Sequence, residues 1–557
     1  MLMKNTITFT IALLFSLCSF AQIKVEEKPS RNKSIKIEQW EVADVQYKIR
    51  KKIEKPFEVE AYANVTSSAG EQRIPLFYNG DNTWVLRYSS ADIGTKKYVI
   101  ESDIAELNNK KGGFIVLENT KKKRHGAIVL NKENPRHFYY EDGSHYFNLA
   151  FECDFLFALD YGNGNVDKTE HLLDLIAENG FNQIVMNVYA YDVDTNWVQD
   201  PLLSKNTHHN FGRRDDIFPY LGSNFNPDYS GLNMDFFKHF DKVISAMHDR
   251  EIVSHLMIYV WNKMVSWPEN GSKEDKMYYD YVVKRYQAFP NMVWDVSKEA
   301  VNFIALDRNK NMSEHIRECA IRTRDIDSYN RLVSVHDYGF CYKNKDVVDF
   351  ISTQDWTFGI FESTFRAYNA FPDRPVFNIE HGGYEEAPYN VFPGGYTNAE
   401  ACLRRNYLCL FGGAYTTYYW QGAAWTAIIY NPFEQPEGYY KPHFEYFKYM
   451  REFFKTYRFD KFTPMKKYAS RSYNLVNYED GQMLRYIPRE VHSTDIQVQL
   501  DAEFDYSNAT KQWFNTITGE YTPEEKMEFK NKWEFWDYRP WRNEADVILI
   551  VKGLKKK

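Results

Sequence analysis

Residues 275–299, DKMYYDYVVKRYQAFPNMVWDVSKE, decide the fold. Asp275–Ala288 spaces its apolar residues along one face of a helix, and Met292–Val296 is a short apolar run of strand length. A helix that leads within a few residues to a buried strand is one step of an alternating α/β chain. The step recurs upstream. Helix Thr169–Asn179, with Gly180 where it should stop, precedes strand Phe181–Tyr189, and helix Phe236–Met247 precedes strand Ile252–Val260. Further apolar runs at Tyr146–Phe151, Leu332–His336, Phe350–Gln354, Val376–Ile379 and Ala414–Trp420 bring the strands to eight. Repeated βα units over residues 126–460 predict an α/β fold, a (β/α)8 TIM barrel. A doubly wound open sheet is the alternative, but the Gly-rich phosphate loop that many such sheets carry is absent.

Outside the barrel the period changes from helical to extended. In residues 31–118, Phe57, Val59, Ala61, Ala63 and Val65 alternate as in a half-buried strand. Tyr78-Asn79-Gly80-Asp81-Asn82 is a turn between Ile74–Phe77 and Trp84–Tyr88. An N-terminal β-sandwich without helix is expected. Lys121-Lys122-Lys123-Arg124 then reads as a solvated linker, with a polyanion contact as the alternative. Residues 465–555 hold strand-like runs at Ser472–Tyr478, Met483–Ile487, Ile496–Leu500 and Val547–Val551, which suggest a C-terminal all-β domain.

The first 21 residues read as a signal peptide: Lys4, an apolar run Ile11–Phe20, then the small-x-small site Ser19-Phe20-Ala21. Cleavage after Ala21 would deliver the protein outside the cytoplasm, secreted or periplasmic. Lipid attachment at Cys18 is the weaker alternative, because Leu17 before it is bulky. No other stretch approaches the ~18 consecutive apolar residues of a membrane helix, so no membrane insertion is expected. The five remaining cysteines, Cys153, Cys319, Cys341, Cys402 and Cys409, are an odd, widely spaced set, which suits buried free thiols.

Net charge is −7 over 557 residues, which argues against nucleic acid as a partner, since phosphate backbones need clustered Lys and Arg. Aromatic residues reach 17%. Aromatic rings fill cores, and they also offer flat faces to the C–H faces of sugars.

In a TIM barrel, chemistry sits at the C-terminal strand ends. The fourth strand runs out through Trp294-Asp295-Val296-Ser297-Lys298-Glu299, and the seventh through Phe377-Asn378-Ile379-Glu380-His381-Gly382-Gly383. Glu299 and Glu380 can thus face each other across one barrel mouth. At about 5–5.5 Å such a pair serves retaining glycoside hydrolysis, one group as acid/base and one as nucleophile. The bland alternative is two helix-start glutamates favoured by the helix dipole. Other strand ends offer Glu152 and Asp154, Asn187 and Tyr189, Trp261 and Asn262, His336 and Tyr338, Gln354 and Trp356, His381, and Trp420 with Gln421 and Trp425. Aromatics mixed with amides and His suit an oligosaccharide or polysaccharide partner, which needs stacking and directional hydrogen bonds.

The glutamate arrangement resembles the large clan of retaining (β/α)8 glycoside hydrolases. Phrases at Trp84–Tyr88, Asn134–Phe147, Asn179–Asn187, Tyr281–Glu299, Arg374–Tyr384 and Gly412–Tyr419 are similar to those of secreted apiosidase-like hydrolases. Those proteins carry an N-terminal sandwich and often a C-terminal β domain. The resemblance implies Glu299 as acid/base and Glu380 as nucleophile. One position departs from it. The clan usually places Asn immediately before the acid/base, where Lys298 stands here. An ammonium there would suit a carboxylate or sulfate on the substrate and would lower the pKa of Glu299. Alternatively Lys298 turns aside into a salt bridge, with Glu152 as a candidate partner.

Three functions follow as expectations. The first is a glycoside hydrolase acting on a neutral or acidic glycan. The second is a lyase or dehydratase on uronate-containing oligosaccharides, with Lys298 neutralising the carboxylate and His336 or Tyr338 moving protons. The third is a non-catalytic carbohydrate-binding protein. No cofactor or metal is expected. His208-His209 lacks the H-E-x-x-H spacing, and Asn163-x-Asn165-x-Asp167 has Lys168 where a calcium loop needs Gly. No G-x-S-x-G supports a serine triad.

Overall fold

The computed structural model describes residues 23–557 except 27–33, 192–208, 212–213, 302–311, 386–395, 421–426, 436, 438–440, 466–471, 492–502 and 529–538. Cys18, the cleavage site at Ala21, the run Ile496–Leu500, and Gln421 and Trp425 lie outside the described residues.

The eight predicted strands form one parallel sheet: β1 (Leu149–Glu152), β2 (Gln183–Asn187), β3 (Val253–Val260), β4 (Met292–Lys298), β5 (Val333–His336), β6 (Ile351–Gln354), β7 (Val376–Glu380) and β8 (Tyr415–Tyr418). Their order is β5-β4-β3-β2-β1-β8-β7-β6, a barrel wall. The seam between β5 and β6 is bridged differently. Ser334 Oγ donates to the Phe350 carbonyl at 3.1 Å and meets Ser352 Oγ at 2.9 Å, and the Asp349 N–H donates to the Val333 carbonyl at 2.8 Å. Eight helices follow the strands in turn: α1 (Asp167–Glu178), α2 (Met234–Asp249), α3 (Lys273–Tyr286), α4 (Met312–Ile326), α5 (Tyr338–Lys343), α6 (Ile360–Ala370), α7 (Ala399–Phe411) and α8 (Phe444–Tyr457). Their starts are set by short polar side chains. Asn233, Ser272, Asp337 and Asn398 each accept a backbone N–H from the first turn of the helix that follows. All of β3 is buried, as a strand covered on both faces must be. An antiparallel three-stranded sheet, Ile128–Leu130, Phe138–Tyr140 and His145–Tyr146, leads directly into β1.

The N-terminal region is a two-sheet sandwich with its own core, in which Val45, Trp84 and Leu86 of one sheet meet Ile37, Ala63 and Phe114 of the other. The expected alternating strand begins only at Ala61. Pro56–Glu58 is instead a 3-10 turn, since proline is well suited to a first helical turn. Phe57 in that turn packs edge-on against Tyr78 and against Tyr281 of α3, so it belongs to the junction with the barrel.

That junction is ionic. Arg87 of the sandwich grips Asp44 at 2.8 and 2.9 Å and reaches Asp241 of α2 at 2.9 and 3.1 Å. Arg285 of α3 binds the same Asp241 at 2.6 and 2.8 Å and the sandwich's Asn79 at 2.9 Å. Bidentate guanidinium–carboxylate pairs are among the strongest polar contacts, and they tolerate little misalignment. At the other end, a six-stranded sheet holds the C-terminal region, and Arg404 of α7 is bound to its Asp546 at 2.7 and 2.8 Å.

The five later cysteines are free and buried. Among the described residues no helix is long and apolar enough to cross a membrane, and no group of His, Cys, Asp or Glu is placed to hold a metal ion.

Candidate active site

β4 delivers Lys298 and Glu299, and β7 ends on Glu380. Glu299 is 5% exposed and Glu380 4%. Lys298 is buried beside Glu380. Its Nζ donates to Glu152 Oε1 at 3.0 Å and to Asp154 Oδ2 at 3.1 Å, and lies 3.7 Å from Glu380 Oε2. Glu299 accepts a 2.6 Å hydrogen bond from Gln354 Nε2, and Tyr384 OH donates to Glu380 Oε1 at 3.3 Å. His336 Nε2 lies 3.5 Å from Glu380 Oε2. Glu299 also has a φ of 56°, in the left-handed region that a residue with a Cβ rarely occupies and that recurs at functional sites.

Burial and the charge of Glu380 push the Glu299 carboxyl up to about 7, against the opposing pull of Lys298, Gln354 and Lys263. Lys298 does pull Glu299 down, as expected of an adjacent ammonium, but burial and the charge of Glu380 outweigh it. Burial disfavours the Lys298 charge, but Asp154, Glu152 and Glu380 hold its pKa well above the usual lysine value. Glu152 is raised far above the carboxylate range by burial, with Asp154 and Glu380 adding to it. Burial, then Lys298 and His255, push His336 well below its ordinary value, so it faces Glu380 as a neutral imidazole.

Several strand-end residues hold buried polar atoms without a hydrogen-bond partner among the described residues: the Asn187 amide, Trp261 Nε1, Asn262 Oδ1, both His336 nitrogens, Glu152 Oε2 and Glu380 Oε2. Buried polar groups are paired nine times in ten, so this concentration at one end of the barrel fits a polar ligand that would satisfy them. Beside Trp261 opens a cavity of about 490 Å³ lined by Phe225, Trp261, Met264, Val265, Trp267 and Met312. On the other flank Trp356 is 38% exposed and edge-on to Tyr384. A Cβ on Gly382 would sit 2.5 Å from the Trp356 ring, so only glycine fits beneath it.

Four of the expected binding residues make no hydrogen bond to either glutamate among the described residues. Tyr189 sits among Phe157, Phe218 and Phe236, in the layer between barrel and helices. Tyr338 packs against Tyr342 and Phe371 and bonds neither glutamate. His381 has both ring nitrogens engaged by backbone, Nε2 with the Thr417 carbonyl at 2.7 Å and Nδ1 with the Gly383 N–H at 3.3 Å. Trp420 is fully buried and edge-on to Phe444 of α8. Its neighbour Tyr419 faces the site instead. That side chain donates to the Ile379 carbonyl, stacks edge-on to Tyr384 at 4.8 Å, and feels the charges of Glu152 and Glu380. Tyr384 had a weak signal, an aromatic just past Glu380 and a pair of glycines.

The family model described as the apiosidase-like catalytic domain matches residues 132–459. The chain belongs to the apiosidase-like family. Ahead of the apiosidase-like barrel, residues 36–103 match a domain of unknown function, DUF5060. Among solved structures, a putative glycoside hydrolase from Bacteroides vulgatus is 18% identical and covers 93% of this chain and 100% of its own, with a TM-score of 0.69. A glycoside hydrolase family 5 protein from the same organism is also 18% identical, covering 78% of this chain and 96% of its own at a TM-score of 0.53. At these identities the likeness is one of fold. No curated protein matches the chain.

Proposed function

We propose that this apiosidase-like protein hydrolyses a glycosidic bond with retention of configuration. One observation carries the reading: Glu299 and Glu380 lie buried at one end of the barrel, and burial together with the charge of Glu380 pushes the Glu299 carboxyl up to about 7. A general acid works best when its pKa lies near the working pH. Glu299 donates its proton to the glycosidic oxygen as the bond to the anomeric carbon breaks, and the Glu380 carboxylate attacks that carbon. Tyr384 donates to one oxygen of Glu380 and so helps fix its orientation, while the Lys298 charge lies 3.7 Å from the other, which among the described residues stays free of hydrogen bonds to attack. Glu299, now ionised, takes a proton from water, whose oxygen displaces Glu380 and restores both groups. The Trp261 backbone N–H donates to the carbonyl of Lys298, the residue before the acid, so the cavity that Trp261 lines is assigned to the leaving group.

Elimination on a uronate loses its main support. The Lys298 ammonium is already taken by Glu152 and Asp154, and Tyr338 bonds neither glutamate. Neutral oligosaccharides are therefore the first substrates to try. A protein that merely bound sugar would have no use for an acid poised near neutrality.

The test is NMR of the first-formed product anomer, with Glu299→Gln and Glu380→Gln alongside. Retention, lost with either substitution, is expected. Inversion, an unsaturated product, or activity that survives both substitutions would overturn the reading. Export after cleavage at Ala21 belongs to the same proposal, and N-terminal sequencing of protein recovered outside the cytoplasm tests it.

A further inference from the structure

Lys298 and Glu299 are adjacent in sequence, yet both serve the cleft. A regular strand forbids this, because neighbouring side chains point to opposite faces. The strand is broken to allow it. Against β3, β4 runs in unbroken register, with Met257 opposite Asp295, Tyr259 opposite Ser297 and Val260 opposite Lys298. Against β5 it slips. Asp295 pairs with Ser334, but His336 pairs with Lys298, where regular pairing would place Ser297. One extra residue thus sits in β4, a bulge, and bulges re-aim side chains near active sites. The positive φ of Glu299 completes the turn toward the cleft.

A bulge frees backbone N–H groups, and inside a barrel no water replaces their partners. Asp295 takes them. Its Oδ1 accepts the N–H of Ser297 at 3.1 Å, within the bulge, and the N–H of His336 at 3.0 Å, across it on β5. Its Oδ2 meets His255 Nε2 at 2.9 Å. Behind His255 the ladder continues: His255 Nδ1 lies 3.2 Å from Gln183 Nε2, and Gln183 Oε1 accepts from Tyr146 OH at 3.0 Å and from Asn148 Nδ2 at 3.2 Å. These last two bonds fix the amide. Gln183 must present its NH2 to His255, so His255 Nδ1 accepts and Nε2 carries the hydrogen given to Asp295. Asp295, His255 and Gln183 are all buried.

We propose that Asp295, held by His255 and Gln183, is the positioning residue that keeps β4 broken so that Lys298 and Glu299 both face the cleft. It touches no substrate, and acts through the geometry of the acid. The proposal rests on the hydrolase reading for its kinetic test but not for its structural one.

The kinetic test compares a 2,4-dinitrophenyl glycoside with the methyl glycoside of the same sugar, taking the sugar that product analysis identifies. The activated group leaves without protonation and the methoxyl does not, so misplacing the acid penalises the second selectively. For Asp295→Asn we expect a loss at least about tenfold larger on the methyl glycoside, and an alkaline limb of kcat/KM moved from near pH 7. His255→Gln, a milder change at the next rung, should shift both readouts in the same direction and stands in if Asp295→Asn does not fold. The second measurement is 13C NMR of protein labelled at glutamate carboxyls, with Glu299 assigned through Glu299→Gln. Its titration midpoint should fall toward the ordinary glutamate range in the variants, as the carboxyl leaves its buried place beside Glu380. Equal losses on both glycosides with an unmoved midpoint would overturn the proposal. A moved midpoint in a protein that hydrolyses neither glycoside would sink the hydrolase reading and leave the positioning role standing.

Discussion

Asp241 and Glu299 are both carboxylates taken largely out of water, and the fold drives them in opposite directions. Burial pushes Asp241 up as well, but Arg285 and Arg87 override it and bring it down to about 2. Glu299 is pushed up to about 7. The difference lies in how many donors aim at each group. Asp241 takes four N–H bonds from two guanidinium groups. Among the described residues Glu299 takes one amide bond, from Gln354, and the neighbouring Lys298 ammonium already serves Glu152 and Asp154 and lies beside Glu380. Burial alone therefore decides nothing about charge. At the junction the donors make a carboxylate a fixed anion that locks two domains, and at the cleft their scarcity leaves a carboxyl free to exchange a proton.

The contrast can be broken at either end. Glu299→Gln should lower kcat/KM on unactivated glycosides by about 10²–10⁴-fold with the unfolding midpoint unchanged, measured by initial rates and urea titration. Asp241→Ala should do the converse. It leaves the buried Arg285 guanidinium without its carboxylate, while Arg87 keeps Asp44, and removing one partner of a buried pair costs about 3–5 kcal/mol, read as a lower urea midpoint with kcat per folded molecule retained. Acid should reach the junction without mutation. The folded pKa of Asp241 lies below its unfolded value, so its contribution is complete above about pH 4 and is lost as pH falls through about 2. The shift corresponds to roughly 2 kcal/mol, and the difference in stability between wild type and Asp241→Asn should shrink over that interval. The smallest expected effect sharpens the comparison at the cleft. Lys298→Met removes a cation that pulls Glu299 down, so the alkaline limb of kcat/KM should move upward from near pH 7 even as the rate falls.

The barrel was legible because each strand is an apolar run and each helix an amphipathic stretch with a polar cap. Glu299 and Glu380 were legible because strand ends bound the search. Tyr419 escaped the sequence reading and Trp420 did not, yet it is Tyr419 that meets Tyr384, while Trp420 packs on Phe444. Neighbouring side chains at a strand end point to opposite faces, and the sequence does not say which face is which. Lys298 is the reverse case. Its position in a regular strand points outward, and only the slip against β5 turns it in. That slip is a relation between two strands, absent from the sequence of either. Likewise Arg87, Asp241 and Arg285 are unremarkable one by one. Their meeting depends on how the sandwich docks on α2 and α3, which no local pattern encodes.

The seam between β5 and β6 carries a mechanical consequence. A cylinder stitched by backbone ladders along most of its wall, and along one line by serine hydroxyls with a single backbone bond described at its start, is softest along that line. β6 ends on Gln354, which tethers Glu299, and β5 ends on His336, which faces Glu380. Flexing at this suture would move the tether of one glutamate against the neighbour of the other, and amide hydrogen exchange should find β5 and β6 opening before β2 and β3 do.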